Sequence, residues 1–392
     1  MQFFNYIAFE DDRRIKATIY AEDIEEAKSI LLLKNIYLLK IYKINKKIKQ
    51  LNQNEILEFF FDLKNLLKAS IPLYESLIII SNKTDNSKIK YLTLDISYKI
   101  KNGKNFSDCL REHDKSFNII ICTMVENALK SGSLIEAVSE IISNLEKSIN
   151  LKKTIISTIS YPAILLIFCI VILGALFFYI IPSLFELFES RELNIFTSLI
   201  VNVSKFLIAN KFLIFNLILI SSLLVVFSFI NEKLKKRVLN ILISVPLIKK
   251  TIIKISVIRF FRSFANLLIN GESYLNAFVL SKNMINYYPL QKEIGNMEEE
   301  ILKGLNLSEI IKKSKYLPTM CKEMIYIAEK SFNIENIFLN IANIYEQEVE
   351  KSLKKFTTYF QPIILIILGI IIGFVILSVL LPLTDVSSFV GD

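Results

Sequence analysis

The chain is poor in the residues that most enzyme chemistry needs. Of its 392 residues, one is histidine (His113), four are cysteine and nine are glycine. His113 has no partner histidine at metal spacing and is expected to be an exposed polar residue near a helix end. One histidine also leaves little room for triad chemistry. The cysteines, Cys109, Cys122, Cys169 and Cys321, form no CxxC pair, so no zinc or disulfide framework is legible. No GxxxxGK[ST] phosphate loop occurs: Gly103-Lys104 lacks the upstream glycine and the following Ser or Thr. No GxSxG elbow occurs either. These gaps argue against an enzyme, and no cofactor or metal is expected.

Charge is absent from three runs of 19 residues each, 163–181, 212–230 and 363–381. A helix of about 20 apolar residues crosses a hydrocarbon core, so each run is a candidate transmembrane helix. A transporter places ionisable groups within its spans, and these spans have none. A small transporter or channel subunit is therefore the weaker alternative. Residues 1–14 lack an apolar core of signal-peptide length, so the first internal span is expected to direct insertion.

The chain is 53% hydrophobic and 22% charged, with net charge +9. Together these describe a few spans attached to sizeable water-facing domains. The basic excess is explained by orientation, and no nucleic-acid motif accompanies it. Lys147, Lys152 and Lys153 precede the first span, 233–237 carries four basic residues, and Lys351, Lys354 and Lys355 precede the third. Positive-inside logic places 55–160 and 256–361 in the cytoplasm, with the N-terminus. The 182–211 connector and the 383–392 tail fall outside.

Residues 1–48 form a small mixed module. Strands near Phe3–Phe9 and Ile15–Tyr20 join through Asp11-Asp12-Arg13-Arg14, and a helix follows Asp23 to about Leu33. Residues 55–160 are expected to form about six helices. Leu57, Phe60, Phe61, Lys64 and Leu67 form one apolar-dominated stripe; Ile89, Leu92, Ile96 and Ile100 form another. Asn102-Gly103 and Ser131-Gly132 end helices. Residues 231–255 are a basic linker.

Much of the chain occurs twice. Tyr161-Pro162 and Pro182 bracket the first span, as Gln361-Pro362 and Pro382 bracket the third, at an offset of 200. Leu66–Ser70 matches Leu267–Gly271, and Gly103–Ser107 matches Gly304–Ser308, both at 201. Met124, Ser131 and Glu146 match Met324, Ser331 and Glu346 at 200, so one deletion explains the shift. Such sustained register indicates duplication of a larger unit. The expected fold is an all-α membrane protein: two homologous cytoplasmic helical bundles, three transmembrane helices and the N-terminal module. Tyr161, Pro162 and Pro362 are read as helix-start residues at the membrane surface. Glu329 is read as a solvated or capping carboxylate. Gly369 and Gly373 form a GxxxG that permits close helix approach.

In this order and placement the motifs resemble the inner-membrane platform proteins of type II secretion and type IV pilus machines, the GspF/PilC family, over essentially the whole chain. Pro246-Leu247-Ile248, Arg259 to Leu268 and Gly271 are similar to the opening of that family's second domain. Gly103–Ser107 and Gly304–Ser308 resemble its G-x-x-[LF]-S turn. Ser131-Gly132-Ser133-Leu134 resembles the end of its G-E-x-S-G-x-L segment, and Ser160-Tyr161-Pro162 its Tyr-Pro before the first span. The chain departs from the pattern at Ala17, Leu129, Asn194, Phe332 and Gln361. Roles of the family's first-repeat glutamate therefore do not carry onto Leu129, nor any role needing a negative charge onto Gln361.

The resemblance implies a homo-oligomeric platform that engages a hexameric secretion or pilus-assembly ATPase and other inner-membrane assembly components. It would help lift pilin or pseudopilin subunits from the bilayer. A last bundle helix from about Ile334 into the third span offers a mechanical route, with Pro162 and Pro362 placed where it would bend.

Overall fold

The computed structural model describes residues 2–10, 13–21, 23–33, 36–44, 49–185, 195–230, 246–331 and 333–384. The Asp11-Asp12 turn, Asn194, the basic cluster at 233–237, Phe332 and the tail from 385 lie outside the described residues. The chain divides into two compact units: 1–151 with 256–344, and 152–255 with 345–392.

In the first unit, strands β1 (Gln2–Glu10) and β2 (Arg13–Ala21) pair antiparallel, Phe4 opposite Ile19 and Tyr6 opposite Ala17. Helix α1 (Ile24–Leu33) follows, its first turn closed by Asp23, whose Oδ1 accepts the Glu26 N–H at 2.7 Å. A third strand, β3 (Tyr37–Ile44), pairs with β1 and gives the order β2-β1-β3. Tyr6, Ala8, Leu31 and Ile36 are buried together beneath this sheet.

Five helices follow: α2 (Gln53–Lys68), α3 (Leu73–Lys83), α4 (Ser87–Lys101), α5 (Phe106–Arg111) and α6 (Ile119–Ser131). Asn52 and Glu55 start α2 with a reciprocal capping box, at 2.9 and 2.7 Å. The face that α2 buries is Ile56, Phe59, Phe60 and Leu63. This corrects the expected stripe, since Phe61 is 52% exposed and Leu57 and Lys64 are half-buried. Three consecutive phenylalanines left the phase of the helix open, and tertiary packing chose it. Ile89, Leu92 and Ile96 are buried as their spacing requires. Rings of Phe59, Phe60 and Phe117 meet at 5.0 to 5.9 Å, and each fully buried ring of this size stabilises by about 1.5–3 kcal/mol.

A second group comprises α11 (Pro246–Ile269), α12 (Tyr274–Lys282), α13 (Tyr288–Leu302), α14 (Leu307–Lys312) and α15 (Thr319–Glu329). Its centre is a ring cluster. Phe260 and Phe261 are edge to face at 5.0 Å, and Phe264 stacks on Phe338 at 5.0 Å. Five helix ends in this unit share one geometry. Ser70, Gly103, Gly132, Gly271 and Gly304 have φ between +60° and +86°, and the residue after each donates back to the carbonyl five residues earlier. Glycine suits that conformation; Ser70 is the one non-glycine at positive φ among the described residues.

Two long helices carry apolar stretches. Helix α7 runs Leu134–Ala175, continues as a π-helical segment Leu176–Ile180, and ends in α8 (Ile181–Ser183). Helix α16 runs Ile334–Thr384 without a break. Both are long and apolar enough to cross a membrane. Pro162 and Pro362 therefore do not start helices; they lie inside α7 and α16, as does Pro382 in α16. A helix interior tolerates proline when the lost hydrogen bond is one among dozens, and membrane helices do so often.

In the second unit, the expected connector contains a helix, α9 (Ile195–Ala209), followed by α10 (Lys211–Ile230). Described residues of the pair, 195–209 and 211–217, bend by 67° and would make a third span if counted as one. Buried Leu176, Ile181, Ile200 and Val375 hold this unit together. Around them Ile164, Ile167, Ile170, Ile363, Ile366 and Ile370 are exposed, a surface suited to lipid.

Candidate functional site

Glu329 is the best-defined candidate. It ends α15, and its Oε1 accepts the Ser308 N–H at 3.0 Å, satisfying a free donor in the first turn of α14. Gly304, in the turn before α14, brings the backbone round so that Glu329, Ser308, Tyr274, Tyr326, Lys312 and Lys330 line one cleft of about 500 Å³. Burial, and then the Glu329 carboxylate, push the Tyr274 hydroxyl above its ordinary pKa. Tyr326 is drawn down by its hydrogen bond with Lys330, whose ammonium sits 4.2 Å over the ring. The cleft thus has a mixed polar and apolar lining with a capping carboxylate. Among the described residues, no group of three or more His, Cys, Asp or Glu side chains is placed to hold a metal.

The other candidates are scattered. Gly103, Gly132 and Gly271 close α4, α6 and α11 in left-handed turns. Ser131 Oγ lies 2.6 Å from Ser133 Oγ, and Ser331 Oγ accepts the Asn333 N–H at 3.1 Å. Arg259 is exposed on α11, whereas Arg262 one turn on is buried and reaches Asn343 Oδ1 at 3.3 Å. Tyr161 is exposed and Pro162 buried on α7, while Gln361 and Pro362 are both exposed on α16. Pro182 lies in α8, directly after the π-helical segment. A methyl group added at Gly369 or Gly373 would meet nothing within 4 Å, so neither glycine serves a close approach among the described residues.

His113 does lie just past the end of α5, as expected, but it is half-buried, not exposed. Its Nε2 lies 2.8 Å from Oδ2 of buried Asp95, which Lys99 also meets at 2.5 Å. Burial opposes the charge on Lys99, but hydrogen bonds to Asp95 and Glu112 outweigh it and raise the ammonium's pKa. The cysteines are all buried, and burial lifts the Cys109 and Cys122 thiols to about 11, out of reactive range.

Sequence reading missed two hydroxyls on α9. Thr197 Oγ1 donates to the Ser378 carbonyl of α16 at 2.7 Å, and Ser204 Oγ donates to the Phe177 carbonyl in the π-helical segment at 2.7 Å. The two lie seven residues apart, hence on one face of the helix, and that spacing is the signal that could have found them. π-Helical turns disturb the regular hydrogen-bond ladder. A carbonyl in one, within an apolar unit, needs a donor such as Ser204.

Two long helices apolar enough to cross a membrane, joined to large helical groups, define a membrane protein with sizeable domains outside its spans. The chain belongs to the family of the type II secretion system protein F, whose model matches residues 59–182 and again 260–382. The type IV pilus assembly protein TapC of Aeromonas hydrophila is 24% identical over 84% of this chain and 80% of its own. PilC of Thermus thermophilus, also a type IV pilus assembly protein, is 25% identical over 95% and 94%. The type II secretion system protein F of Xanthomonas campestris is 24% identical over 88% and 85%.

Proposed function

We propose that this chain is the inner-membrane platform of a type IV pilus or type II secretion machine. It couples a cytoplasmic ATPase to the extrusion of pilin or pseudopilin subunits, and it acts as a scaffold, not a catalyst. The observation that carries this reading is the double family match, each copy beginning in a helical group and ending at the proline that follows an apolar stretch, Pro182 or Pro382.

The two copies are read as a duplicated bundle, 55–160 and 256–361. Paired turn geometry supports this: Ser70 with Gly271, and Gly103 with Gly304. So does the Phe59–Phe60 pair, which recurs as Phe260–Phe261 at the same 5.0 Å. Both bundles and the N-terminus are assigned to the cytoplasm by the lysines before each long apolar stretch; the tail falls on the outer side. Work is delivered through α7 and α16. Each is one continuous helix that begins packed into a bundle core and ends in an apolar stretch, so displacement of a bundle pulls on the same hydrogen-bonded rod that contacts lipid. Pro162 and Pro362 are where that rod bends most easily. The platform acts as a homo-oligomer beside the other membrane components of its machine.

Affinity purification of the intact chain from membranes, together with a deletion strain, tests this. The expected result is co-purification of the machine's ATPase and loss of pili or secretion on deletion. Absence of any such ATPase, with normal piliation and secretion in the deletion strain, overturns it. Pro162→Ala and Pro362→Ala variants that insert normally and assemble filaments at full rate would remove the hinge.

A further inference from the structure

Among the described residues, two side-chain hydrogen bonds join the two helical groups of the first unit at one place. Asn127 Nδ2 on α6 donates to Glu272 Oε2 at 2.9 Å, and Asn270 Nδ2 donates to Glu140 Oε2 at 2.7 Å. The end of α6 and the start of α7 thus meet the α11–α12 turn. In the register of the duplication proposed above, on which this inference rests, the counterpart of α6 is α15. The counterpart of the α11–α12 turn is the α2–α3 turn, where Ser70 stands for Gly271. Among the described residues, the faces of that reciprocal pair are the more exposed. On α6, Ile120, Thr123 and Met124 are buried; on α15, Met320 and Glu323 are exposed, Met324 is half-buried, and Ile327 is 59% exposed. On α3, Tyr74 and Ile79 are exposed where their α12 counterparts Leu275 and Leu280 are half-buried.

A contact related by two-fold symmetry would have covered both faces. A one-way contact leaves one face of each kind free, and such faces join successive copies head to tail. The counterparts of the polar pair Asn127 and Glu272 are Ile327 and Ile71, so both partners have changed from polar to apolar together. An exposed apolar residue on one face is thereby matched by an apolar residue at the corresponding point of the other.

We propose that the α15 face around Ile327 of one copy docks on the α2–α3 turn around Ile71 of a second copy, repeating between chains the contact that α6 makes with the α11–α12 turn within one.

The test uses the full chain in membranes, where the four native cysteines are buried and contribute little background. Differently tagged copies carrying Ile71→Cys or Ile327→Cys are co-expressed and oxidised with copper-phenanthroline and oxygen. The oxidant takes two electrons and two protons from each thiol pair as the S–S bond forms. The expected product is a disulfide joining the two tags, and a ladder beyond dimer when both substitutions sit on one chain. Cross-links only between two Ile327→Cys copies, cross-links only to another protein, or none while the oligomer persists would each overturn the proposal. As a second reading, Ile327→Asn is expected to lower the oligomer mass in native mass spectrometry without changing the melting temperature. Adding Ile71→Glu transplants the internal Asn–Glu pair and is expected to restore the oligomer. An unchanged mass for Ile327→Asn contradicts the contact. Filament assembly by the cysteine variants under reducing conditions is scored in parallel, so that a missing cross-link alongside working assembly sinks this contact and leaves the platform function standing.

Discussion

In the register of the proposed duplication, the two helical groups place different chemistry at corresponding positions. In the first, Lys99 on α4 pairs with Glu112 at 2.6 Å; at the corresponding place in the second, Glu300 on α13 pairs with Lys313 at 2.9 Å. The bridge is kept and its charges are exchanged. Asp95 and His113 are replaced by Asn296 and Ser314, while Leu63, Leu77 and Val138 are replaced by Phe264, Phe278 and Phe338. The first group adds an ionic cluster around α5, and the second packs rings. The bend between those helices needs an attraction across it but not a particular sign, and the core needs volume but not a particular side chain.

The strongest test of that contrast is the core. Phe264 touches Phe260, Tyr274, Phe278 and Phe338. Phe264→Ala is expected to destabilise the chain by about 3–5 kcal/mol, and Leu63→Ala, fully buried in the first group, by about 2–5 kcal/mol. Denaturant titration of the detergent-solubilised protein measures both. A loss at Phe264 below about 1 kcal/mol would show that the ring cluster does not hold the second group.

The paired turns come next. Gly271→Ala forces a Cβ into φ +78° and is expected to cost about 1–2 kcal/mol. Ser70→Gly relieves the same conformation at φ +60°, less the entropy glycine adds to the unfolded chain, and is expected to gain about 0.5 kcal/mol. Opposite signs in thermal melts confirm that the two turns are equivalent, and equal signs break the equivalence.

At Glu329 the groups differ outright, since Leu129 occupies the corresponding place. Glu329→Ala leaves the Ser308 N–H without its acceptor, a loss expected to be about 1 kcal/mol. Hydrogen exchange should rise locally in α14; an unchanged exchange rate there would deny the cap. Glu300→Lys is expected to cost only about 0.2–1 kcal/mol, because the pair is partly solvated. Glu300→Lys with Lys313→Glu builds the first group's arrangement in the second and should recover that loss in a double-mutant cycle.

The pH dependence of the contact between the groups has a definite sign. Burial raises the Glu140 pKa above its ordinary value near 4.5, against the opposing hydrogen bond from Asn270. The folded state then holds this proton more tightly than the unfolded state. Its contribution is full below the unfolded pKa and is lost as pH rises through the folded one. Glu140→Gln should flatten that decline in melting temperature, and an identical pH profile for the two proteins would show that Glu140 is not the titrating group.

Much of this was legible because it was punctuated. Asn102-Gly103 and Ser131-Gly132 end helices where glycine supplies a left-handed turn, and uncharged runs mark membrane stretches. The missed features lack such marks. Strand β3 reads Tyr-Leu-Leu-Lys-Ile-Tyr-Lys-Ile, whose alternation is broken by an irregularity opposite Ile7 and Ala8. Helix α9 was hidden because polar residues at 202, 204 and 205 interrupt its apolar pattern. Pro162 and Pro362 were misplaced because proline statistics favour helix starts, whereas two very long helices absorb the lost hydrogen bond. The candidate site was half legible. Glu329 and Gly304 were named, but Tyr274 and Lys312 joined them only through the fold.

The central claim is that α7 and α16 transmit bundle movement into the membrane as continuous helices. Insertion of Gly-Gly-Ser between Lys355 and Phe356 interrupts α16 while leaving both ends intact. Filaments, or secreted substrate, are counted in a deletion strain carrying this variant at wild-type membrane level with the ATPase still bound. Transmission through the helix requires assembly to fall close to the deletion level; assembly at the wild-type rate would contradict it.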